Sequence, residues 1–443
     1  MKKFGVILGT LLCSFLYATV AFANVSWPDA VTIEADGGIV MEAQTGTILY
    51  GKQMREAYYP ASITKLLTAL LVMEHCKMDE TVTFSHNAIF QVESNSKHAN
   101  LVEGDTLTVE ECLYTLLLYS ANEVANALAE HVSGSIEEFA KLMNEKARAL
   151  GCENSNFVNP SGLNDPDHYT CAYDMALIAR AAYQNPTLRT ISGTPNYTIP
   201  PTKNCPEGQR ISIGHKMLKE SYLEQYDSRV LAGKTGYTSL AGNTLVTLAR
   251  QNDLELIVVI LNGHQTHYSD TKNLLDFGFE HFQCLEVPTQ QWKPLEVFWS
   301  NNPFLFVNLQ WEIANPYVCL PKGAENEPLS QSVSFDKPQN AAGAQVIRVA
   351  YQYLEKPIGN VDLSVIIKKP QAIVLPQKQE PLRNRAIRMM LVVCALGTGL
   401  ILCLLTIRII NRYRYEAMRD RAHRQMRRLA SERKLPPEQE KSD

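Results

Sequence analysis

Nowhere in the 443 residues do two cysteines stand in a Cys-x-x-Cys spacing, although the chain has 10 of them. That absence removes zinc-ribbon and dithiol-redox readings. Seven cysteines lie between the two ends of the chain: Cys76, Cys112, Cys152, Cys171, Cys205, Cys284 and Cys319. An odd set closes no disulfide framework, and residues such as Cys112, on an apolar helical face, read as small buried hydrophobes. The His264-x-x-His267 pair lacks a third ligand at metal-like spacing. It reads as a turn into a helix near Asp270, and no metal or cofactor is expected. Internal repeats and low-complexity tracts are also missing, which excludes solenoids and compositionally disordered segments.

Basic charge is scarce over most of the length. Residues 408–443 carry +5 and residues 1–23 carry +2, so the total of −4 leaves −11 for the body between them. An acidic body speaks against nucleic acid as a partner.

What is present at the ends is distinctive. Lys2 and Lys3 precede an apolar run that closes on Ala21-Phe22-Ala23. This is the layout of a signal peptide over 1–23, and the A-x-A ending favours cleavage over a first membrane helix. Residues 389–407 contain no charge. As a helix they would span roughly 28 Å, close to a bilayer core, so one transmembrane helix is expected there. Eight arginines follow within 408–428, against Lys378, Arg383, Arg385 and Arg388 upstream. The bias places the 408–443 tail in the cytoplasm and the body outside the cell membrane.

The exported chain divides at about residue 286. Before it, 31–50 alternates as strands around Thr45-Gly46, and helical periods follow at Ser62, from Val109 through Tyr119 to about His131, at 136–150 and at 172–183. Strands return in RVLAGKTGY, NTLVTLAR and LELIVVILN, with a helix over 270–282. The pattern predicts an α/β body over 24–285, an antiparallel sheet flanked by helices whose first and last strands meet in the middle. Residues 286–375 hold short strand-like pieces split by Pro, Asn and Gly and read as a small all-β domain. Residues 376–388 are a polar linker.

Three short stretches fit one site. Between Glu56 and Glu74 the only charged side chain is Lys65, three residues after Ser62, on a helix otherwise burying Ile63, Leu66, Leu67, Leu70 and Leu71. Ser62 and Lys65, at i and i+3, are neighbours. A serine hydroxyl needs a base within hydrogen-bond reach. A lysine among apolar residues loses hydration, which lowers its pKa, and a second cation, Lys234, pushes the same way. Near a helix start the Ser62 N–H is available to a developing oxyanion. The second stretch is Ser120-Ala121-Asn122, at a break between helical patterns. The third is Gly233-Lys234-Thr235-Gly236 on a strand, where glycines let a ligand approach the backbone.

Serine-x-x-lysine, serine-x-asparagine and lysine-threonine-glycine in this order form the signature of β-lactamases and penicillin-binding proteins. PASITKLLTALL, SANEVANALAEH, NPSGL and GKTGYTSLAGNTLV extend the likeness. From about residue 26 to 370 the chain resembles the serine-type D-alanyl-D-alanine carboxypeptidases, the low-molecular-mass penicillin-binding proteins of the peptidase S11 family. The resemblance implies a penicillin-binding transpeptidase-type fold. It also implies removal of the terminal D-alanine from peptidoglycan stem peptides, which regulates cross-linking, and acylation of Ser62 by β-lactams. It assigns Ser62 as nucleophile, Lys65 as general base, Ser120 as proton relay to the leaving amine and Asn122 as orienting group. Lys234, Thr235 and Gly236 would hold the terminal carboxylate, and the Tyr237 N–H would be the second oxyanion donor. The anchor departs from many members, which use an amphipathic helix. A β-lactamase or endopeptidase on the same fold is the alternative among enzymes, but no deacylating glutamate motif of the β-lactamase kind is found. A penicillin-binding sensor or wall-binding scaffold without turnover is the alternative outside enzymes; the intact set of three motifs argues against it, because a scaffold has no need of Lys65.

Overall fold

The structure, a computed structural model, describes residues 25–92, 96–288, 308–336 and 345–368, with isolated positions 390, 408, 409 and 412. The expected signal peptide lies outside the described residues. So do the linker and, apart from those isolated positions, the expected transmembrane helix and tail. The chain divides into two units, Met1–Lys369 and Pro370–Asp443. Among the described residues no helix is long and apolar enough to cross a membrane.

The first unit opens with β1 (Gly37–Glu42) and β2 (Ile48–Lys52), paired around the turn at Gly46. Residues 31–36, expected as strand, are irregular, and Asp270 carboxylate oxygens accept the Glu34 and Ala35 N–H groups there. A single 3-10 turn, Ala61–Thr64, leads into α1 (Lys65–His75). Next come β3 (Thr81–Thr83), α2 (His86–Phe90) and β4 (Thr106–Thr108). The expected helix from Val109 is α only as α3 (Val109–Tyr114), and it widens into a π turn over Thr115–Tyr119. Then follow α4 (Asn122–Ser133), α5 (Ile136–Ala149), α6 (Ala172–Gln184) and α7 (Pro186–Gly193).

After a small hairpin of β5 (Asn196–Ile199) and β6 (Gln209–Ser212) come β7 (Val230–Thr238), β8 (Gly242–Gln251) and β9 (Leu254–Leu261). Helix α8 (His267–His281) starts three residues earlier than the sequence suggests, and Phe282 already belongs to β10 (Phe282–Glu286). The chain continues as β11 (Asn308–Ala314), β12 (Tyr317–Pro321), β13 (Ser330–Asp336), β14 (Gln345–Tyr353) and β15 (Lys356–Lys368).

The central sheet runs β2-β1-β9-β8-β7, antiparallel throughout, and β1 joins β9 in its interior. The alternation along β9 explains why it reads as one apolar run. Ile257, Val259 and Leu261 enter the core beneath the helices, whereas Leu254, Leu256, Val258 and Ile260 enter a second core with Leu274 and Leu275 of α8. A strand covered on both faces has no polar side to show. A second sheet, β11-β15-β14-β13, covers a third core around Tyr351, Ile358 and Val361. Strand β10 pairs with β12, so sheet pairing crosses the boundary expected near residue 286. Cys284 faces Cys319 in this pair, and all seven described cysteines are free thiols.

Strand β7, the outermost of its sheet, lies against the 3-10 turn that precedes α1. This contact positions the site.

Candidate active site

Pro60 ends the extended lead-in, and Ser62 falls in the 3-10 turn rather than in the α-helix, with Lys65 as the first residue of α1. Lys65 Nζ lies 3.0 Å from Ser62 Oγ, 2.6 Å from Asn122 Oδ1 and 2.6 Å from the Ser161 carbonyl oxygen. Two of these partners can only accept. A neutral amine has two N–H bonds to give them, so its lone pair is left facing the Ser62 hydroxyl. The Lys65 side chain is fully buried, and burial first, then the Lys234 charge, holds its pKa well below the usual lysine range. A neutral Lys65 would therefore stand with its lone pair towards the Ser62 hydroxyl.

Ser120 stands where the π turn ends, with φ at 70°, and its N–H returns to the Thr115 carbonyl. A non-glycine residue held left-handed at a π-to-α junction stores local strain, a pattern found at functional sites. The break lets two side chains from neighbouring positions face one cleft. Asn122, opening α4, reaches Lys65, and Ser120 Oγ accepts from Lys234 Nζ at 3.0 Å. Lys234 also donates to the Thr235 carbonyl at 2.8 Å. Burial, with Lys97 adding repulsion, brings Lys234 down to about 7.

Strand β7 has a neighbour on one side only, β8. The Thr235 carbonyl, free to take the Lys234 ammonium, therefore points away from β8. By the two-residue period of a strand, the Tyr237 backbone N–H points the same way, towards the cleft. Its side chain is exposed. A Cβ on Gly236 would stand 2.9 Å from Ser62 N and 2.3 Å from Thr244 Oγ1. Only glycine lets the strand backbone lie this close to the nucleophile. The three sequence stretches thus converge: Ser62, Lys65 and Asn122 share hydrogen bonds, Ser120 and Lys234 share another, and Gly236 abuts Ser62.

Four participants escaped the sequence reading. Ser161 supplies a carbonyl, aimed by the Asn159 side chain, whose Oδ1 accepts from Ser161 N–H at 3.2 Å and Gly162 N–H at 2.7 Å. The NPSGL turn was its only signal. His168 is buried, accepts from Val158 N–H at Nδ1 (3.2 Å) and so carries its proton on Nε2, which donates to Thr64 Oγ1 at 3.0 Å. Burial lowers it to about 4, so it stays neutral while tying the loop to the turn beside Ser62. Lys97 takes the Asn122 N–H on its carbonyl and sets its ammonium 4.0 Å from the Tyr119 ring centre. Glu123 is buried beside Asn122, and burial raises its pKa.

The His264 and His267 pair does not join these residues: His264 bonds Asp36 at 2.9 Å, and His267 opens α8.

The Ser161 loop depends on close approach. Gly162 has φ of +83°, and a Cβ there would fall 1.8 Å from the Ala61 carbonyl oxygen. Gly162→Ala is expected to cost roughly 2–4 kcal/mol in stability. By displacing the Ser161 carbonyl from Lys65, it should slow penicillin acylation about 100-fold. Thermal melting and the acylation rate check the two effects separately.

The chain is similar to known proteins over this region. The D-alanyl-D-alanine carboxypeptidase DacF of Bacillus subtilis is 30% identical over 284 residues, 62% of this chain and 70% of that protein. The Streptomyces K15 DD-transpeptidase structure superposes with a TM-score of 0.53 at 29% identity, covering 57% of this chain and 100% of that one. Penicillin binding protein 5 from Haemophilus influenzae, 24% identical, shares the fold with a TM-score of 0.59 over 77% of this chain and 99% of its own. Residues 23–265 match the family described as Peptidase_S11, D-alanyl-D-alanine carboxypeptidase. More than half of the sequence is covered by that match, and the chain belongs to the S11 family of serine D-alanyl-D-alanine carboxypeptidases.

Proposed function

We propose that Ser62 is acylated by the penultimate D-alanine of a peptidoglycan stem peptide, releasing the terminal D-alanine, and that β-lactams acylate the same hydroxyl. Lys65 takes the Ser62 proton as Oγ attacks the carbonyl carbon. The Ser62 and Tyr237 N–H groups receive the developing oxyanion. Ser120 passes a proton to the departing amine, and Asn122 orients Lys65. Lys234 and Thr235 hold the free carboxylate that marks a C-terminal substrate. Water then hydrolyses the ester.

The arrangement around Lys65 Nζ carries this reading, because its two acceptors leave only the Ser62 direction for a lone pair. A wall-binding scaffold that forms no covalent adduct has no use for a buried lysine beside a serine hydroxyl.

The same proposal extends to architecture. Residues 286–375 form an all-β domain that carries the catalytic body on the outer side of the membrane. Residues 1–23 direct export, and 389–407 anchor the chain in lipid ahead of a cytoplasmic basic tail. The A-x-A ending, the uncharged run and the arginines after it support this topology.

Incubating the purified full-length chain with a pentapeptide ending in D-alanyl-D-alanine is expected to release D-alanine. Ser62→Ala should abolish both release and covalent penicillin labelling. Labelling of the wild type without release would favour the sensor, and release that survives Ser62→Ala would sink the site.

A further inference from the structure

The helices that present Lys65 and Asn122 to the cleft also meet at their other ends. Helix α1 is capped by Cys76, α4 carries His131 in its last turn, and Glu80 directly precedes β3. A Cys76 sulfur, a Glu80 carboxylate oxygen and a His131 ring nitrogen all lie within 4.8 Å of one another. His131 Nε2 stands 3.1 Å from Glu80 Oε2. Two N and O ligands about 2.0–2.2 Å from a tetrahedral ion sit roughly 3.4 Å apart, so this pair needs little movement to receive one. The other Glu80 oxygen, Oε1, accepts the Lys77 N–H at 2.8 Å, which holds the carboxylate with Oε2 turned towards His131.

We propose that Cys76, Glu80 and His131 form a Zn²⁺ site that clasps the C-terminal ends of these two helices. Thiolate, imidazole and carboxylate are the three donor types zinc takes, and water completes four-coordination. Thiolate and carboxylate together neutralise the ion. The C-terminal ends of an 11-residue and a 12-residue helix add partial negative charge on the same side. On binding, the Cys76 S–H bond breaks, a Zn–S bond forms, and the proton passes to solvent. The site lies at the opposite ends of both helices from Ser62, so the ion stabilises the framework and takes no part in acylation.

The test uses the reduced, chelator-stripped full-length chain, with Co²⁺ and then Zn²⁺ as probes. Co²⁺ should give a thiolate-to-metal charge-transfer band in the wild type, lost in Cys76→Ser and weakened in His131→Gln. Zn²⁺ at about 100 times its Kd should raise the melting temperature of the wild type by about 5 °C, and of neither variant. D-alanine release measured without added metal reports that each variant is folded. No band in the wild type, or a band that persists in Cys76→Ser, overturns the site. A band with no rise in melting temperature overturns the clasp.

Discussion

Lys65→Arg is expected to slow acylation by penicillin about 10²–10⁴-fold, the range spanned by loss of a general base. That corresponds to about 3–5 kcal/mol of barrier. Arginine can still donate to Asn122 Oδ1 and to the Ser161 carbonyl, the two fixed acceptors around Lys65 Nζ. What it cannot do is surrender a proton and offer a lone pair to Ser62. Lys65→Met separates chemistry from bulk, since it is no larger than lysine and has no nitrogen. Both variants should fail, as read by time-dependent labelling with a fluorescent penicillin. Normal labelling in either one would show that Lys65 is not the base.

Lys234→Gln should lower kcat/KM for a D-alanyl-D-alanine peptide by roughly 30-fold to several thousand-fold, from about 2–5 kcal/mol lost with a buried charge pair. The pH profile carries the sharper prediction. With the free-enzyme Lys234 near 7, its ammonium form fades as pH rises, so kcat/KM in the wild type should fall above neutrality. A bound carboxylate favours the ammonium, so kcat should hold to higher pH than kcat/KM. In Lys234→Gln that alkaline limb disappears. The acid limb moves as well, because Lys234 repulsion is one of the two causes that depress Lys65. Without it Lys65 keeps its proton to higher pH, and the acid limb shifts upward. D-alanine release across about pH 5–10 reads both limbs. An alkaline limb unchanged in the variant would show that another group controls it.

The parts of this site legible in the sequence were those encoded by side-chain identity at short range. Ser62 and Lys65 announce themselves because Lys65 is the only charge between Glu56 and Glu74, in a stretch that is mostly apolar. Gly233 and Gly236 do so because they flank Lys234 and Thr235 on a strand. Pairing of β1 with β9 followed from a strand hairpin at the start and long apolar strands at the end. Other features depend on backbone direction, which residue type does not record. The third partner of Lys65 is a carbonyl, supplied by Ser161 only because Asn159 folds the loop back. Helical periodicity carried the reading smoothly through Thr115–Tyr119, because a π turn keeps Leu116 and Leu117 buried while displacing Ser120 into the cleft. His168 reaches Thr64 across 104 positions of chain, Lys97 acts on Lys234 from a distant segment, and nothing local marks either. Residues 31–36 alternate like a strand, yet Asp270, far along the chain, captures their N–H groups.

The junction of β1 with β9 also sets a timetable. Val40 finds its partner only when Val258 exists. At synthesis rates of about 5–20 residues per second, the opening hairpin waits on the order of 10–40 s with one edge unpaired. Such an edge invites pairing with other chains, and contacts this distant in sequence slow folding. Until Val230–Thr238 emerges, Ser62 and Lys65 have no β7 against which to assemble, so the nascent chain holds its nucleophile without a working site.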